Sequence, residues 1–236
     1  MGERRTLLIV QALLILIING YVGLISGHQI HQGRWELLLQ NAGVSAMHMT
    51  LAHTNKFIIF DQTLAGPSQI MRSDPPCKNA TAAALQDCWA HSIEYDIATN
   101  SVRPLHLLTD TFCSSAAFAS NGTLIQTGGW SNGTRVIRYF APCSDATCNW
   151  IESPAHLTAN RWYASNQILP DGRVIVLGGR RSFNYEFVPK APSDGAFQLP
   201  FLAKTNTVGV ENNLYPFLHL SSDGNLFIFA NQDFIW

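Results

Sequence analysis

The sequence predicts an all-β protein that forms part of a kelch-type β-propeller, with about three to four blades present. Three observations indicate this fold. The dipeptides Asn-Gly and Asp-Gly, which are typical of β-hairpin turns, recur along the chain. They recur at intervals of about 50 residues, as in kelch repeats. A glycine pair also follows the second strand of two units, at Gly128-Gly129 and Gly178-Gly179. The alternative is a β-sandwich, which also uses short strands and tight turns.

Four stretches share the pattern of a strand, a turn and a short apolar strand. Three of the turns are Asn121-Gly122, Asp171-Gly172 and Asp223-Gly224, with 50 residues from Asn121 to Asp171 and 52 from Asp171 to Asp223. We assign the turn of the first unit to Asn55-Lys56, which lies 66 residues before Asn121. An insertion is therefore expected between the first two units.

The number of repeats predicts an incomplete propeller. Propellers usually contain four to eight blades, and an open one leaves sheet edges unpaired. We therefore expect residues 28–236 to be the N-terminal part of a longer propeller that is truncated within a blade.

Residues 1–27 are expected to be a secretory signal peptide. A short positively charged segment, Met1 to Arg5, precedes the apolar, uncharged run from Thr6 to Gly27. The run is about long enough to span a bilayer, so an uncleaved membrane anchor is the alternative.

Other features agree with secretion of an extracellular protein. Three sites have the Asn-x-Thr pattern of N-glycosylation: Asn79, Asn121 and Asn132. Charged residues make up 13% of the chain and the formal net charge is −1, so no basic stripe indicates a nucleic acid partner. No polybasic patch indicates a membrane surface once the signal is removed.

The five cysteines comprise two close pairs and one residue without a close neighbour. The pairs Cys77/Cys88 and Cys143/Cys148 have the short spacings of disulfides that close loops. A metal site is the alternative, although no Cys-x-x-Cys spacing occurs. Cys113 is left over, and its simplest interpretation is a buried free thiol that packs as a small apolar group.

The repeat alignment gives Cys113 a possible partner. Eight residues before the turn of each unit lies one equivalent position, here called the inner slot, which holds Met47, Cys113, Tyr163 and Tyr215 in chain order. Equivalent positions on the inner strands of neighbouring blades converge around a propeller axis. Cys113 and Tyr163 are therefore expected to meet.

Four motifs around these positions identify a resemblance. They are D-T-F-C-S-S (110–115), A-N-R-W-Y-A-S (159–165), P-D-G-R-V-I-V-L-G-G (170–179) and N-N-L-Y-P-F (212–217). With them, the chain from about Gly33 onwards resembles the glyoxal oxidase and galactose oxidase group of copper radical oxidases. It is most similar to the plant glyoxal oxidase-like aldehyde oxidases.

The resemblance implies a seven-bladed propeller and a protein-derived radical cofactor. Cys113 and Tyr163 would form a thioether, and the Tyr163 oxygen would bind copper. The implied reaction oxidises simple, glyoxal-type aldehydes to carboxylic acids, with dioxygen reduced to hydrogen peroxide. The implied location is the plant apoplast or cell wall. A ring fixed covalently is a preorganised site, and imidazole with oxygen ligands suits Cu(II).

The chain departs from the family in its remaining copper ligands. The family adds a tyrosine next to a histidine, and a second histidine, from later blades, whereas this sequence contains no Tyr-His dipeptide. The 236 residues alone are therefore expected to be inactive. The alternative function is a secreted, non-catalytic module that binds a glycan or a protein through its loops.

Several residues near the motifs are weaker candidates. Arg181 aligns with the tryptophan that stacks over the thioether in galactose oxidase, and Phe183 and Tyr185 lie nearby in sequence. Tyr215 could line the central channel, and Arg161 and Trp162 could wall the pocket. Three histidines are expected to be structural: His48, His53 and His219.

Overall fold

A computed structural model describes residues 33–72, 88–191 and 193–236. The chain divides into two units, residues 1–38 and residues 39–236. In the first unit, the described residues 33–38 form no helix or strand. The predicted signal peptide, Cys77 and Asn79 lie outside the described residues. Among the described helices, none combines the length and apolar character needed to cross a membrane.

The second unit consists of four antiparallel sheets that follow one another along the chain. The first contains β1 (His48–Leu51), β2 (Lys56–Phe60), β3 (Ser92–Asp96) and β4 (Ser101–Leu105). The second contains β5 (Ser115–Phe118), β6 (Leu124–Thr127), β7 (Ile137–Phe140) and β8 (Ile151–Glu152). The third contains β9 (Ala164–Ile168), β10 (Val174–Gly178), β11 (Asn184–Val188) and β12 (Phe197–Gln198). The fourth contains β13 (Phe217–Leu220), β14 (Leu226–Ala230) and β15 (Asp233–Ile235).

Little helix accompanies these sheets in the described part of the chain. The α-helix α1 spans Pro200–Lys204, and two 3-10 turns span Thr63–Ala65 and Ser131–Gly133. Four successive sheets, each built from strands that are consecutive in the chain, confirm the predicted all-β fold with a partial propeller. Two large facing sheets, as in a sandwich, are not formed by the described residues.

The core lies between consecutive sheets. Ile58 and Phe60 of the first sheet pack with Leu124 and Phe140 of the second. Sheets two and three enclose a second apolar cluster, and sheets three and four enclose a third. The central strand β10 is buried throughout its length. The second and third sheets each have a neighbouring sheet on both faces, and β6, like β10, is therefore fully buried.

The register of the hairpins corrects one prediction. Residues on either side of the first-sheet turn pair as Leu51 with Phe57, and those of the second sheet pair as Phe118 with Leu124. Both turns therefore contain five residues, and the pattern repeats in the third and fourth sheets.

Asn55 consequently matches Gly122, not Asn121, and shares its positive φ, 58° against 81°. The prediction that Met47 occupies the inner slot is wrong by one residue, because asparagine tolerates the left-handed conformation that glycine adopts in the other turns. The residue in the first-blade inner slot is Ala46.

A buried ion pair fastens the segment before β9 to the third sheet. The side chains of Arg161 and Glu186 are both fully buried, and Nη2 of Arg161 lies 2.7 Å from Oε1 of Glu186. The backbone amides of Thr158 and Ala159 also donate to this carboxylate, at 2.7 and 3.2 Å. Lys190 adds a fourth donor at 2.8 Å.

Charge and hydrogen bonds keep this carboxylate ionised. Burial alone would raise the pKa of Glu186, but the hydrogen bond from Lys190 and the positive charge of Arg161 outweigh it, and the pKa is lowered. Burial lowers the pKa of Arg161, and Glu186 opposes that change. Each charge of the pair therefore depends on the other.

We predict that Glu186→Gln destabilises the protein strongly. The substitution leaves the buried Arg161 guanidinium without its counter-charge, which costs about 3–5 kcal/mol when one partner of a buried pair is removed. The free energy of unfolding in urea measures the loss. The matched control is Asp171→Asn, because Asp171 pairs with Arg173 on the surface, and it should leave the unfolding midpoint unchanged. Equal small losses in both variants would contradict a structural role for the pair.

Candidate functional site

The three inner-slot residues Cys113, Tyr163 and Tyr215 share one unusual backbone conformation. Their φ angles are 55°, 65° and 49°, in the left-handed region. Each lies just before the innermost strand of its sheet. For bulky side chains this conformation is a genuine outlier, and such outliers cluster at functional sites.

Backbone hydrogen bonds connect the slots from blade to blade. The amide nitrogen of Tyr163 donates to the carbonyl oxygen of Cys113 at 2.9 Å, and the amide of Tyr215 donates to the carbonyl of Tyr163 at 3.0 Å. The predicted meeting of Cys113 and Tyr163 is thus present in the main chain, although they are 50 residues apart in sequence.

The glycine pair of the second sheet allows this close approach. Gly128 and Gly129 have φ angles of +75° and +136°. A Cβ on Gly128 would overlap the carbonyl oxygen of Arg161, two residues before Tyr163, and would lie 2.7 Å from the Arg161 Cβ. A Cβ on Gly129 would overlap the carbonyl oxygen of Asp110, three residues before Cys113. The pair therefore lies between the segments that carry the thiol and the phenol.

A second buried arginine holds the segment that precedes Cys113. Arg138, on β7, is fully buried and donates to the carbonyl oxygens of Asp110 and Gly128, at 3.3 and 2.8 Å. Its Nε lies 3.3 Å from a Glu152 carboxylate oxygen. Burial lowers the pKa of Arg138 to about 10, against the opposing effect of Glu152. Arg138 and Arg161 thus fix the segments before Cys113 and Tyr163, respectively.

The side chains of the three slots converge. Cys113 is a free cysteine and is buried. A hydrogen-bonding contact with its thiol raises the pKa of Tyr163; partial burial adds to this, and the charge of Arg180 opposes it. The Tyr163 and Tyr215 rings meet edge to face, with centroids 5.4 Å apart and planes at 83°. One thiol and two phenols therefore share a site.

Aromatic rings cover one side of Tyr163. The Trp162 ring centroid is 4.6 Å from that of Tyr163 and 4.1 Å from that of Trp130. The guanidinium carbon of Arg180 lies 5.0 Å from the Trp162 ring centroid. Trp130 and Arg180 each follow a glycine pair, so equivalent positions of two blades flank Trp162. Sequence analysis missed both residues, and the position after each glycine pair was the signal that could have found them.

Of the weaker candidates near the motifs, two border Tyr163 and the others have structural or surface positions. Trp162 does border Tyr163, as expected, whereas Arg161 serves as an anchor through Glu186. The exposed Arg181 pairs with Glu211 at 2.9 Å. Phe183 and Tyr185 pack in the core between sheets three and four. Trp162 and Tyr215, and not these three residues, make the described ring contacts with Tyr163.

His48 lies closer to the site than the sequence indicated. Its Nε2 is 3.2 Å from the hydroxyl oxygen of Ser114, the residue after Cys113, and its ring stacks on Phe60 at 4.7 Å. Burial lowers the pKa of His48, and Asp61 partly opposes this. His53 and His219 are exposed, and nothing connects them to the site.

The described residues include one complete predicted disulfide, one cysteine of the other, and two of the three predicted glycosylation sites. Cys143 and Cys148 form a disulfide with Cα atoms 5.8 Å apart. Cys88 is buried and disulfide-bonded, but Cys77, its predicted partner, lies outside the described residues. Asn121 and Asn132 are exposed.

The described residues do not complete a copper site. Two phenol oxygens and one sulfur are available, but in the described part of the chain no three His, Cys, Asp or Glu side chains cluster as metal ligands. His48 already contacts Ser114. The orphaned buried polar atom beside Tyr163 is Nε1 of Trp162, an N–H donor that cannot bind a cation. Copper would need imidazole donors that these residues do not supply.

Comparison with known proteins gives consistent matches. The family model described as glyoxal oxidase N-terminus matches residues 47–236. Aldehyde oxidase GLOX of Vitis pseudoreticulata is 44% identical over 204 residues, which cover 85% of this chain and 39% of that protein. Aldehyde oxidase GLOX1 of Arabidopsis thaliana is 45% identical over 204 residues, covering 85% of this chain and 33% of that protein. The chain thus spans about two fifths or less of these curated relatives.

A solved structure supports the fold. A fungal alcohol oxidase of the AA5 family, in complex with copper, superposes with a TM-score of 0.59 at 16% identity. The superposition covers 83% of this chain and 39% of that one. At this identity the similarity concerns the fold alone.

We predict that Gly128→Ala destabilises the protein more than Gly172→Ala. Both glycines have a positive φ, but a Cβ on Gly172 meets nothing within 4 Å, whereas one on Gly128 must displace the Arg161 backbone. The left-handed conformation alone costs about 1–2 kcal/mol, so Gly172→Ala should lose that amount and Gly128→Ala clearly more. Urea unfolding of both variants measures the difference. Equal losses would show that the glycine pair has no spacing role.

Proposed function

Since this chain belongs to the glyoxal oxidase N-terminus family, we propose that it carries the thioether half of a copper radical oxidase. The enzyme oxidises simple, glyoxal-type aldehydes to carboxylic acids and reduces dioxygen to hydrogen peroxide. The hydrate of the aldehyde gives up two hydrogens to dioxygen, which balances the reaction. The proposed cofactors are copper and the cross-linked Cys113–Tyr163 pair.

The observation that carries this proposal is the placement of Cys113 against Tyr163. Their slots are joined by a 2.9 Å backbone hydrogen bond, and a hydrogen-bonding contact with the Cys113 thiol raises the pKa of Tyr163. A sulfur and a phenol ring held in adjacent strained positions are preorganised to form a bond.

The proposed cross-link has a simple chemical balance. A bond forms between Sγ of Cys113 and the ring carbon ortho to the Tyr163 hydroxyl, while one S–H and one C–H bond break. The two protons and two electrons pass to dioxygen, which becomes hydrogen peroxide. The sulfur substituent makes the phenol easier to oxidise, so that the ring can hold one of the two oxidising equivalents that aldehyde oxidation requires.

Copper binding requires donors beyond the described residues. Tyr163 would supply one phenol oxygen, but the imidazoles that suit Cu(II) are not gathered here. We therefore propose that the activity belongs to a longer polypeptide, and that the 236 residues alone are inactive. The competing function, a non-catalytic module that binds a glycan or a protein, is favoured by the same lack of imidazoles.

We predict a cross-linked peptide in the longest polypeptide that contains this sequence, expressed as a secreted protein and loaded with copper in air. Peptide mapping by mass spectrometry should find the Cys113 and Tyr163 peptides joined, with a mass lower by two hydrogen atoms than their sum. Cys113→Ser and Tyr163→Phe should each abolish the product, because each removes one reacting group. Tyr139→Phe is the matched control and should leave it unchanged.

The same sample distinguishes the competing function. If Cys113 remains fully alkylatable after denaturation, no thioether has formed and the oxidase proposal fails. In that case the non-catalytic module becomes the better assignment.

We also propose that the protein is secreted to the apoplast or cell wall. The N-terminal run, the disulfide Cys143–Cys148 and the exposed positions of Asn121 and Asn132 support this location, because disulfides persist in oxidising compartments.

We predict that Asn121→Gln and Asn132→Gln each remove one N-linked glycan from the protein secreted by plant cells. The attached sugar needs an accessible acceptor, and both asparagines are exposed. Intact mass before and after glycosidase treatment measures the loss. Asn225→Gln is the control, since Asn225 is exposed but lies outside an acceptor pattern. An unglycosylated wild-type protein would oppose passage through the secretory pathway.

A further inference from the structure

We propose that Tyr215 is a positioning residue for the Cys113–Tyr163 pair. Its hydroxyl donates a hydrogen bond to the backbone next to Cys113, and its ring packs edge to face with the Tyr163 ring. The thiol and the Tyr163 ring therefore meet in a fixed geometry, while Tyr215 itself is kept from reacting. This inference rests on the proposed function for its chemical purpose, although its structural part can be tested separately.

The backbone of Tyr215 continues the arrangement of the other two slots. Its amide donates to the Tyr163 carbonyl oxygen at 3.0 Å, as the Tyr163 amide donates to Cys113. Its φ of 49° repeats the left-handed conformation, which is unfavourable for a residue with a side chain. The fourth sheet is the third to use this strained position, and it places a tyrosine there, next to the Cys113–Tyr163 pair.

The Tyr215 hydroxyl reaches across the site to the Cys113 segment. It donates to the carbonyl oxygen of Ser114 at 3.2 Å, over 101 residues of sequence. Ser114 is buried and is also held by its amide, which donates to Thr111, and by its hydroxyl, which lies 3.2 Å from His48. The residue after Cys113 is therefore held by the first blade, by its own turn and by the fourth blade.

The ring of Tyr215 makes an aromatic contact with Tyr163 in addition to the contact that Trp162 makes. The edge-to-face contact at 5.4 Å and 83° is a favoured arrangement of aromatic pairs. Trp162 contacts the same ring at 4.6 Å. Two rings thus restrain Tyr163.

The same contacts explain why the thiol would choose Tyr163 over Tyr215. Cys113 interacts with both phenols, so proximity alone does not select one. The Tyr215 hydroxyl is committed to the Ser114 carbonyl. Partial burial, followed by Cys113 and Tyr163, raises the pKa of Tyr215, and the pKa of Tyr163 is raised as well. The hydrogen bond from the Tyr215 hydroxyl to Ser114 is therefore what distinguishes the two phenols.

The structural part of the proposal is tested on the copper-free 236-residue chain by the rate at which iodoacetamide alkylates Cys113. Tyr215→Phe keeps the ring and removes only the hydroxyl, and it should speed alkylation about fivefold, the factor set by one net hydrogen bond. Tyr215→Ala also removes the ring contact and should speed it further. Tyr139→Phe, a half-buried tyrosine of β7, is the matched control and should leave the rate unchanged.

Circular dichroism identifies a variant that has not folded, and the conclusion then depends on Tyr215→Phe, which preserves the packing volume. An alkylation rate for Tyr215→Phe equal to that of the wild type overturns the positioning role.

A second measurement separates this inference from the proposed function. In the copper-loaded longer polypeptide, the Cys113–Tyr163 product should form several-fold more slowly in Tyr215→Phe than in the wild type. If the wild type and Tyr215→Phe cross-link at the same rate, the positioning role fails and the oxidase proposal stands. If the wild type forms no cross-link, the oxidase proposal fails, and the alkylation rates still decide the role of Tyr215. A peptide that joins Cys113 to Tyr215 would overturn the selection of Tyr163.

Discussion

The hydrogen bond from the Tyr163 amide to the Cys113 carbonyl is the constraint around which the site is organised. It requires two residues with side chains to adopt left-handed conformations, at a cost that other contacts must offset. It also requires two chain segments to approach more closely than a Cβ between them would allow, which accounts for Gly128 and Gly129. The preference for glycine in this repeat thus follows from the contact between adjacent blades.

Two buried arginines stabilise the close approach of the segments that carry Cys113 and Tyr163. Arg138 donates to the backbone of the segment before Cys113. Arg161, two residues before Tyr163, pairs with Glu186 of β11. A buried charge is costly unless it is paired and fully hydrogen-bonded, and both guanidiniums satisfy this condition with carboxylates and backbone carbonyls. Such pairs are weak sources of net stability but set geometry narrowly, and that geometry places the thiol and the phenol.

The repeat pattern was sufficient to predict the sheets and the contact between Cys113 and Tyr163, because hairpin turns have a strong local signature and propeller blades repeat in space. Counting back from the turn failed in the first blade. Asn55 occupies the position of the turn glycine there, so the count gave Met47 where the equivalent residue is Ala46. The arginine anchors and the contact of His48 with Ser114 could not be predicted. They depend on which side chains face each other across two blades, and no short-range pattern encodes that pairing.

The burial of Cys113 also matters for the other sulfur atoms of the chain. A free thiolate can attack a disulfide and exchange partners with it, and the described residues include both the disulfide Cys143–Cys148 and the free Cys113. Cys113 is only 9% exposed, behind Ser114 and the two tyrosines. Burial therefore shields this sulfur from external thiols and disulfides, so that the fold protects the Cys143–Cys148 disulfide from exchange with Cys113.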